Sequence, residues 1–364
     1  MIPKPLKVVD APLVLTKNQP LSNFTVAKSP ELSTDDQNYY SYFPTWDSYY
    51  SASADFFSMD NYYCQLRHGL LYKESLSNPN NIHINESFLY RSNIDISYWD
   101  DFAKNSLSKK NISFYEKAIV ASNPWINVYS HFLAETIYVI ARSIYLNLEA
   151  PILISDHLCQ PFKDIIFSLG LNPLVKYTHR DEVVAIKKLY YCPSLHAATW
   201  YGHEVPKIVN RFITARLNLQ PTTSPQKRIY ISRGKASARN CINEGDVCEL
   251  LESYGFITVE LEDFKFQDQI SLFQNASIVV GAHGSGLANL IFASNQTNVI
   301  EIIPTGVESR KKIVDRSFWN LASGVPVNSY SVYYQANDPS NSGWHLDLSK
   351  FKLFLESYLL KVSR

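Results

Sequence analysis

The chain has 364 residues, of which 46% are hydrophobic and 19% are charged. This composition excludes a disordered chain and predicts two domains, or one domain with a large addition, around a sizeable buried core. Its 34 Lys and Arg residues balance 34 Asp and Glu residues, so the sequence lacks the overall positive charge typical of nucleic-acid-binding proteins. We therefore expect no nucleic-acid partner.

The cysteines and the N-terminus indicate a cytoplasmic protein. The number of cysteines is odd and no pair has CxxC spacing, so neither a disulfide framework nor a structural zinc site is expected. The first residues include no apolar stretch of signal-peptide length, and no run of about 18 apolar residues occurs elsewhere. A chain trimmed of its targeting segment would give the same pattern.

The first half of the chain becomes regular only near Lys117. Residues 1–110 are rich in Ser, Asn, Tyr and Asp, which predicts short strands and loops. Beyond them the pattern predicts strands at 117–122, 151–155, 174–177 and 183–191, with helices at 129–148 and 161–169. This β-α-β-α-β order is typical of a parallel sheet covered by helices.

The second half follows a polar stretch, residues 219–226, which predicts a linker or, alternatively, a surface loop inside one domain. Predicted strands lie at 228–232, 256–260, 277–281 and 299–303, and predicted helices at 244–254, 266–275, 287–292 and 349–360. The alternation predicts a doubly wound α/β domain. The predicted division is 1–220, 221–330 and an extension, 331–364, whose amphipathic helix could return to the first domain.

A glycine-rich loop follows the strand predicted at 277–281. It consists of Gly281, Ala282, His283, Gly284, Ser285, Gly286, Leu287, Ala288 and Asn289. Glycines let the backbone approach a ligand closely, and the helix that follows offers N–H groups to an anion. The spacing matches neither the NAD-binding fingerprint nor a P-loop, and a tight turn is the alternative. The imidazole of His283 is a group that a simple turn does not need.

A basic loop directly follows the strand predicted at 228–232. Arg233, Lys235 and Arg239 lie there within seven residues. Ligands of open α/β sheets bind at the carboxyl ends of strands, so these cations could neutralise a diphosphate. The alternative is a solvated basic loop.

Glu301 lies inside the apolar strand predicted at 299–303. A buried carboxylate is costly unless it is paired. A ribose diol would be a suitable partner, and an internal salt bridge to a residue such as Arg233 is the alternative.

Together these motifs resemble glycosyltransferase family 61 over residues 228–304. The resemblance rests on Ile231 to Lys235, Arg239 with Asn243 and Glu244, Asp268 with Gln269, the glycine loop, and Val299 to Ile302. It implies a GT-B-like fold, in which two Rossmann-like domains face each other across a cleft. It also implies inverting transfer from a nucleotide-sugar without a bound metal or other cofactor, and donor contacts from Arg233, His283, the glycine loop and Glu301.

The helix predicted at 129–148 carries His131 and Glu135 on one face, because residues four apart on a helix are neighbours. Its surroundings resemble a segment of bacterial family members, although Tyr138 and Val139 stand where a Pro-Arg pair is often found, and Asn240 where a second Arg is common. An inverting transfer needs a base for the attacking hydroxyl. We expect Glu135 or His131 to supply it, with a solvated helix face as the alternative.

Residues and resemblance together predict a metal-independent hexosyl- or pentosyltransferase of surface-polysaccharide synthesis. The expected donor is a UDP-sugar and the expected acceptor a glycan or glycolipid, which could also bring the chain to a membrane surface. The expected donor contacts are Arg233, Lys235, Arg239, Gly281, His283, Gly284, Ser285, Gly286, Leu287, Asn289 and Glu301. Two alternatives stay open: a CMP- or GDP-sugar donor on the same fold, and a non-catalytic nucleotide- or glycan-binding module.

Overall fold

A computed structural model describes residues 112–362 except 124, 181, 192–203, 221–223, 236–239, 306–316, 326 and 337–342, together with the strands that precede residue 112. The chain divides into two compact units. The first comprises Met1–Thr16 and Ser51–Leu219, and the second comprises Lys17–Tyr50 and Gln220–Arg364.

The described strands are short and spread along the whole chain. They are β1 (Leu15–Asn18), β2 (Phe24–Lys28), β3 (Tyr49–Ala52), β4 (Phe57–Gln65), β5 (Leu70–Ser75), β6 (Asn78–His83), β7 (Ile112–Val120), β8 (Ile152–Ser155), β9 (Val175–Thr178), β10 (Val183–Tyr191), β11 (Lys227–Ile231), β12 (Phe256–Val259), β13 (Ala276–Ala282), β14 (Asn298–Thr305) and β15 (Ser329–Ala336).

The described helices lie between and after the later strands. They are α1 (Tyr129–His131), α2 (Tyr138–Tyr145), α3 (Gln160–Ser168), α4 (Glu204–Arg216), α5 (Glu244–Ser253), α6 (Phe266–Gln274), α7 (Ser317–Gly324) and α8 (Leu348–Val362). A π-helical turn, Phe132–Ile137, joins α1 to α2, and Leu261–Asp263 and Ser285–Phe292 form 3₁₀ helices.

A seven-stranded mixed sheet forms the first unit, in the order β6-β5-β4-β10-β7-β8-β9. Strands β10, β7, β8 and β9 run parallel, which confirms the parallel sheet predicted for residues 117–191. Strand β4 pairs with β10 antiparallel and extends the sheet through β5 and β6. Apolar side chains such as Val120, Leu153 and Val184 form its core.

The helix predicted at 129–148 exists, but it is made of three pieces and ends earlier. The π-helical turn is completely buried, and its Phe132 ring stacks on Phe162 with centroids 4.4 Å apart. Asn147 adopts a left-handed conformation, with φ of 52°, just beyond the end of α2. Asparagine tolerates this conformation better than most residues, and it stops the helix there.

The second unit has a six-stranded sheet in the order β12-β11-β13-β14-β15-β2, and all of its neighbouring strands are parallel. The chain moves from β11 to β12 on one side and then returns to β13 on the other side. The strand order therefore reverses between β11 and β13. The sheet and its helices confirm the predicted mixed α/β class with two sheets of parallel strands.

Two parts of the chain group differently from the predicted division. Strand β2 comes from the N-terminal region but pairs with β15, so it completes the sheet of the second unit. Helix α8 packs into the same unit, where Phe351, Leu355 and Tyr358 share a core with Trp344. The C-terminal helix therefore lies on its own half of the chain. The arrangement of two domains across a cleft stays a prediction.

Two further features of the described residues are the state of their cysteines and the hydropathy of their helices. Cys64, Cys159, Cys241 and Cys248 carry free thiols, while Cys192 lies outside the described residues. Burial raises the pKa of the Cys241 thiol to about 12. None of the described helices combines the length and hydropathy that a membrane crossing requires.

Candidate functional site

Two sequence motifs meet at the carboxyl edge of the second sheet. Strands β11 and β13 are neighbours, with Ile231 opposite Gly281. The basic loop after β11 and the glycine loop after β13 therefore leave the sheet side by side, although they are about 50 residues apart in sequence. The strand order reverses at this point, and doubly wound sheets bind ligands in the crevice that such a reversal opens.

The glycines of this loop lie so close to their neighbours that a side chain at these positions would be crowded. A Cβ at Gly281 would stand 3.2 Å from Leu287 Cδ2 and 3.3 Å from Ile231 Cδ1, and a Cβ at Gly286 would stand 3.0 Å from Leu261 Cδ1. A Cβ at Gly284 would overlap the guanidinium of Arg233. The Arg233 guanidinium thus rests on the bare backbone of Gly284.

The segment after the glycines is a 3₁₀ helix, Ser285–Phe292, which includes the short helix predicted at 287–292. Leu287 donates its backbone N–H to Gly284 O at 3.0 Å, and its side chain is buried. The buried Asn289 amide donates to Gln269 Oε1 at 3.1 Å and to Gly286 O at 3.3 Å. Leu287 and Asn289 are predicted donor contacts, but their buried side chains support the loop from within the protein.

Glu244, at the start of α5, holds the basic loop. Its carboxylate accepts the backbone N–H of Arg233 at 2.6 Å and the Tyr230 hydroxyl at 3.1 Å. The Gly234 N–H donates to Ser232 Oγ at 3.0 Å. These bonds fix the backbone from which the Arg233 side chain extends over Gly284.

The three predicted cations do not share one environment. The Lys235 ammonium contacts both carboxylate oxygens of Asp263 at 2.6 Å and Glu260 Oε2 at 2.9 Å. Hydrogen bonds to Asp263 and Glu260 raise the pKa of Lys235 above its ordinary value, so the ammonium stays protonated. Arg239 lies outside the described residues. Arg233 is thus the predicted cation that the structure brings to the glycine loop.

Glu301 has internal partners in place of the expected ribose diol. His283 Nδ1 lies 2.7 Å from Glu301 Oε1, and the Tyr330 hydroxyl donates to Glu301 Oε2 at 2.6 Å. The residue is 2% exposed. The alternative prediction, that Glu301 pairs with another residue of the protein, is therefore correct. Its partners are His283 and Tyr330 rather than Arg233.

Tyr330 is the residue of this site that the sequence did not reveal. It lies on β15, a strand that the predicted elements omit, although its aromatic and hydroxyl alternation is typical of a strand. The parallel register sets Tyr330 opposite Val299, two residues before Glu301. Such a diagonal pair lies within reach of a long aromatic side chain.

The first unit carries a second histidine–carboxylate pair. His131 Nδ1 lies 2.7 Å from Glu135 Oε1, as the four-residue spacing predicts, and both residues are buried. The centroid of the Trp125 ring lies 5.7 Å from that of His131. Glu135 belongs to the π-helical turn, a geometry that is frequent at functional sites. The alternative of a solvated helix face is therefore wrong.

This pair also follows the carboxyl edge of a sheet at a reversal of strand order. Strand β7 precedes α1, and β8 and β10 flank β7 on opposite sides. At the same edge the Ser155 N–H donates to Ser122 Oγ at 2.9 Å, and His157 Nδ1 lies 2.6 Å from Ser155 Oγ. The sequence analysis did not single out these polar residues, because they form no motif.

Metal coordination has no obvious place in the part of the chain that the structure describes. No group of three or more His, Cys, Asp or Glu side chains lies there with the geometry to hold a metal ion. Transfer without a metal stays a prediction.

Comparison with known proteins connects this geometry to a class of enzyme. Residues 129–300 match the family model Glycosyltransferase 61, a range that contains His131, Glu135, Arg233 and the glycine loop. The predicted resemblance is thereby confirmed over these residues, and the family that they match is one of glycosyltransferases.

Individual relatives match over a shorter range. Protein O-linked-mannose beta-1,4-N-acetylglucosaminyltransferase 2 is 33% identical in Mus musculus and 32% identical in Homo sapiens, over 110 residues that make up 29% of this chain. EGF domain-specific O-linked N-acetylglucosamine transferase of Drosophila melanogaster is 32% identical over 99 residues, or 26% of this chain. Each match covers 19% of the relative's length. These relatives are animal enzymes, so a bacterial surface-polysaccharide type is not shown.

Proposed function

We propose that the chain is an inverting glycosyltransferase that binds a nucleotide-sugar at the carboxyl edge of the second sheet. One observation carries this proposal: the Arg233 guanidinium rests on Gly284, beside His283, where the strand order reverses. A guanidinium and an imidazolium donate charge-assisted hydrogen bonds to phosphate oxygens, and a glycine surface admits the ligand closely.

The donor in this proposal is a UDP-sugar, and no metal takes part. The leaving diphosphate gains charge as the glycosidic bond to it breaks, so preorganised donors at this place lower the barrier. Arg233 and His283 supply such donors. Lys235 could add a third only by exchanging its contacts with Asp263 and Glu260.

A nucleotide screen tests the donor site directly. A ligand that binds only the folded protein raises its melting temperature, by mass action. We expect UDP to raise it more than GDP, CMP or UMP does at equal concentration. A larger effect of GDP or CMP would replace the donor with the alternative nucleotide, and no effect of any nucleotide would overturn the proposed site.

The chemical step in this proposal belongs to the buried pair of the first unit. The acceptor oxygen attacks the anomeric carbon, the bond to the diphosphate breaks, and the hydroxyl proton passes to a base. Either the Glu135 carboxylate takes that proton, or His131 takes it at Nε2 while Glu135 stabilises the resulting imidazolium. The step requires the predicted cleft between the two units, which is part of the proposal.

The acceptor in this proposal is a glycan or glycolipid. The names of the relatives place mannose attached to protein, and EGF domains, among the acceptors to be tried beside surface-polysaccharide oligosaccharides. We expect release of UDP to depend on one of these acceptors. Nucleotide binding without transfer to any of them would favour the non-catalytic module instead. A role in surface-polysaccharide synthesis, a cytoplasmic location and membrane association through the acceptor remain predictions.

A further inference from the structure

The carboxylate of Glu301 is buried and contacts two residues from neighbouring strands. His283 Nδ1 lies 2.7 Å from one of its oxygens, and the Tyr330 hydroxyl donates to the other at 2.6 Å. Glu301 is 2% exposed and Tyr330 is 1% exposed. Such a carboxylate is costly to bury, and the two short hydrogen bonds offset that cost.

Contacts of both the backbone and the ring hold His283 in place. The backbone N–H of His283 donates to Ile302 O at 2.8 Å, which continues the pairing of β13 with β14. The ring centroid lies 5.0 Å from that of Phe318 on α7. Glu301 contacts Nδ1, so Nε2 is the ring nitrogen that a ligand of His283 would meet.

We propose that Glu301 and Tyr330 are positioning residues that keep the Nδ1 proton of His283 on the Glu301 side, so that Nε2–H donates to the donor's diphosphate. This inference rests on the proposed nucleotide-sugar site. Tyr330 orients the carboxylate, the carboxylate orients the imidazole, and His283 meets the ligand. Nε2 carries a proton at the same time as Nδ1 only in the imidazolium form.

The charges around His283 decide when that form is present. Glu301 on β14 favours the imidazolium, whereas the Arg233 cation beside Gly284 disfavours it. Tyr330 on β15 and Phe318 on α7 contribute neutral groups. A bound diphosphate favours the imidazolium further. Binding therefore takes up a proton wherever the free protein holds a neutral His283, and affinity falls as the pH rises through that range.

Calorimetry can measure this proton. UDP-N-acetylglucosamine is a suitable probe, because its diphosphate has no proton that titrates between about pH 5.5 and 8.5. Titrations in two buffers of different ionisation enthalpy should show proton uptake by the wild-type protein, and His283→Ala should abolish it. Glu301→Gln should shift the uptake to lower pH and weaken binding at pH 7 by about tenfold, the worth of a charged hydrogen bond.

Tyr330→Phe should give a smaller shift in the same direction, of about threefold in affinity, since it removes one neutral donor. Tyr254→Phe is the matched control, because the Tyr254 hydroxyl donates to Glu356 at the same 2.6 Å, remote from the loop. That variant should leave both the affinity and the proton uptake unchanged. If it moves them as much as Tyr330→Phe does, the inferred role of Tyr330 is wrong.

Nuclear magnetic resonance tests the positioning without any ligand. With ¹⁵N-labelled histidine, the His283 signals can be assigned by their loss in His283→Gln. The wild type should hold its proton on Nδ1, and Glu301→Gln should move part of the population to the Nε2 tautomer. An unchanged tautomer and pH profile in a folded Glu301→Gln variant would overturn the inference. Failure of the wild type to bind any nucleotide, with the tautomer as expected, would instead overturn the proposed function.

Discussion

Among the described residues, each unit of this protein contains a histidine–carboxylate pair, and the two pairs are built in different ways. In both, Nδ1 lies 2.7 Å from a carboxylate oxygen, and the histidine follows the carboxyl end of a strand. His131 and Glu135 are four residues apart on one helical segment. His283 and Glu301 are 18 residues apart and come from neighbouring strands, and Tyr330 adds a hydrogen bond from a third strand.

The difference teaches what holds each pair. The first pair depends on the local geometry of one helical segment, which includes the π-helical turn. The second pair depends on the register of three strands, so it is fixed as firmly as the sheet itself. In the proposed function the first pair moves a proton, and the second pair holds a charged ligand. The proposed roles follow this division.

The largest effect is expected at the glycine surface beside the second pair. Gly284→Val should abolish nucleotide binding, because its side chain would occupy the space of the Arg233 guanidinium. The fold should survive, since Gly284 has extended backbone that any residue adopts and Arg233 can swing away. Calorimetry with UDP measures the loss. Gly245→Val is the control, since no described atom lies within 4 Å of a Cβ placed there. Normal UDP affinity in Gly284→Val would remove the second pair from the donor site.

The next effect should separate the two pairs by role. Glu135→Gln keeps the shape of the side chain and removes its charge, so turnover should fall by at least about a hundredfold with donor affinity retained. Steady-state kinetics and calorimetry on the same preparation give both quantities. If Glu135→Gln weakens donor binding and leaves kcat unchanged, the proposed division of roles is reversed.

His131→Ala sharpens the same point. It should also impair turnover, and the variant lacking both His131 and Glu135 should be little worse than the worse single variant, because the two side chains act as one unit. Fully additive losses in kcat would show that they act separately. Near-normal turnover in both single variants would mean that another residue is the base.

A smaller effect concerns the two cations of the basic loop. Arg233→Ala should weaken donor binding by about tenfold, which a charged hydrogen bond accounts for. Lys235→Ala should change it by less than about threefold, since the Lys235 ammonium is occupied by Asp263 and Glu260 on an exposed surface. A larger loss from Lys235→Ala would mean that the ligand draws this ammonium away from its carboxylates.

The smallest effect is expected from removal of metal ions. Within the described residues, neither carboxylate belongs to a group of three or more His, Cys, Asp or Glu side chains that could hold a metal ion. Turnover measured after EDTA treatment should therefore equal that of untreated protein. A strict requirement for manganese or magnesium would contradict the assignment of leaving-group charge to Arg233 and His283.

Local signals made much of the fold predictable. Gly170 and Gly255 directly follow the helices predicted at 161–169 and 244–254, and their φ of 65° and 78° is a conformation that glycine adopts without strain. The spacing of His131 and Glu135 likewise predicted their contact. Periodicity and turn chemistry reflect interactions between residues a few positions apart. They therefore predict the structure correctly where such short-range interactions determine it.

Long-range contacts were beyond such signals. The partner of Glu301 depends on which strands are neighbours, and the sequence predicted a ribose diol, with a salt bridge to a residue such as Arg233 as the alternative. The sequence predicted a ligand contact for Lys235. Its contacts with Glu260 and Asp263 join residues far apart in sequence, and no local pattern indicates them. The inclusion of β2 in the second sheet is set by β15, roughly 300 residues further along the chain.

That last pairing has a consequence for synthesis. Strand β2 leaves the ribosome long before β15 exists, so the first strand of the second sheet to be made is among the last that can dock. Until it does, β15 presents the unpaired backbone groups of an open edge. A chain shortened to begin after Lys28 would keep that edge for its lifetime and should self-associate, while the other strands of the second sheet pair as before.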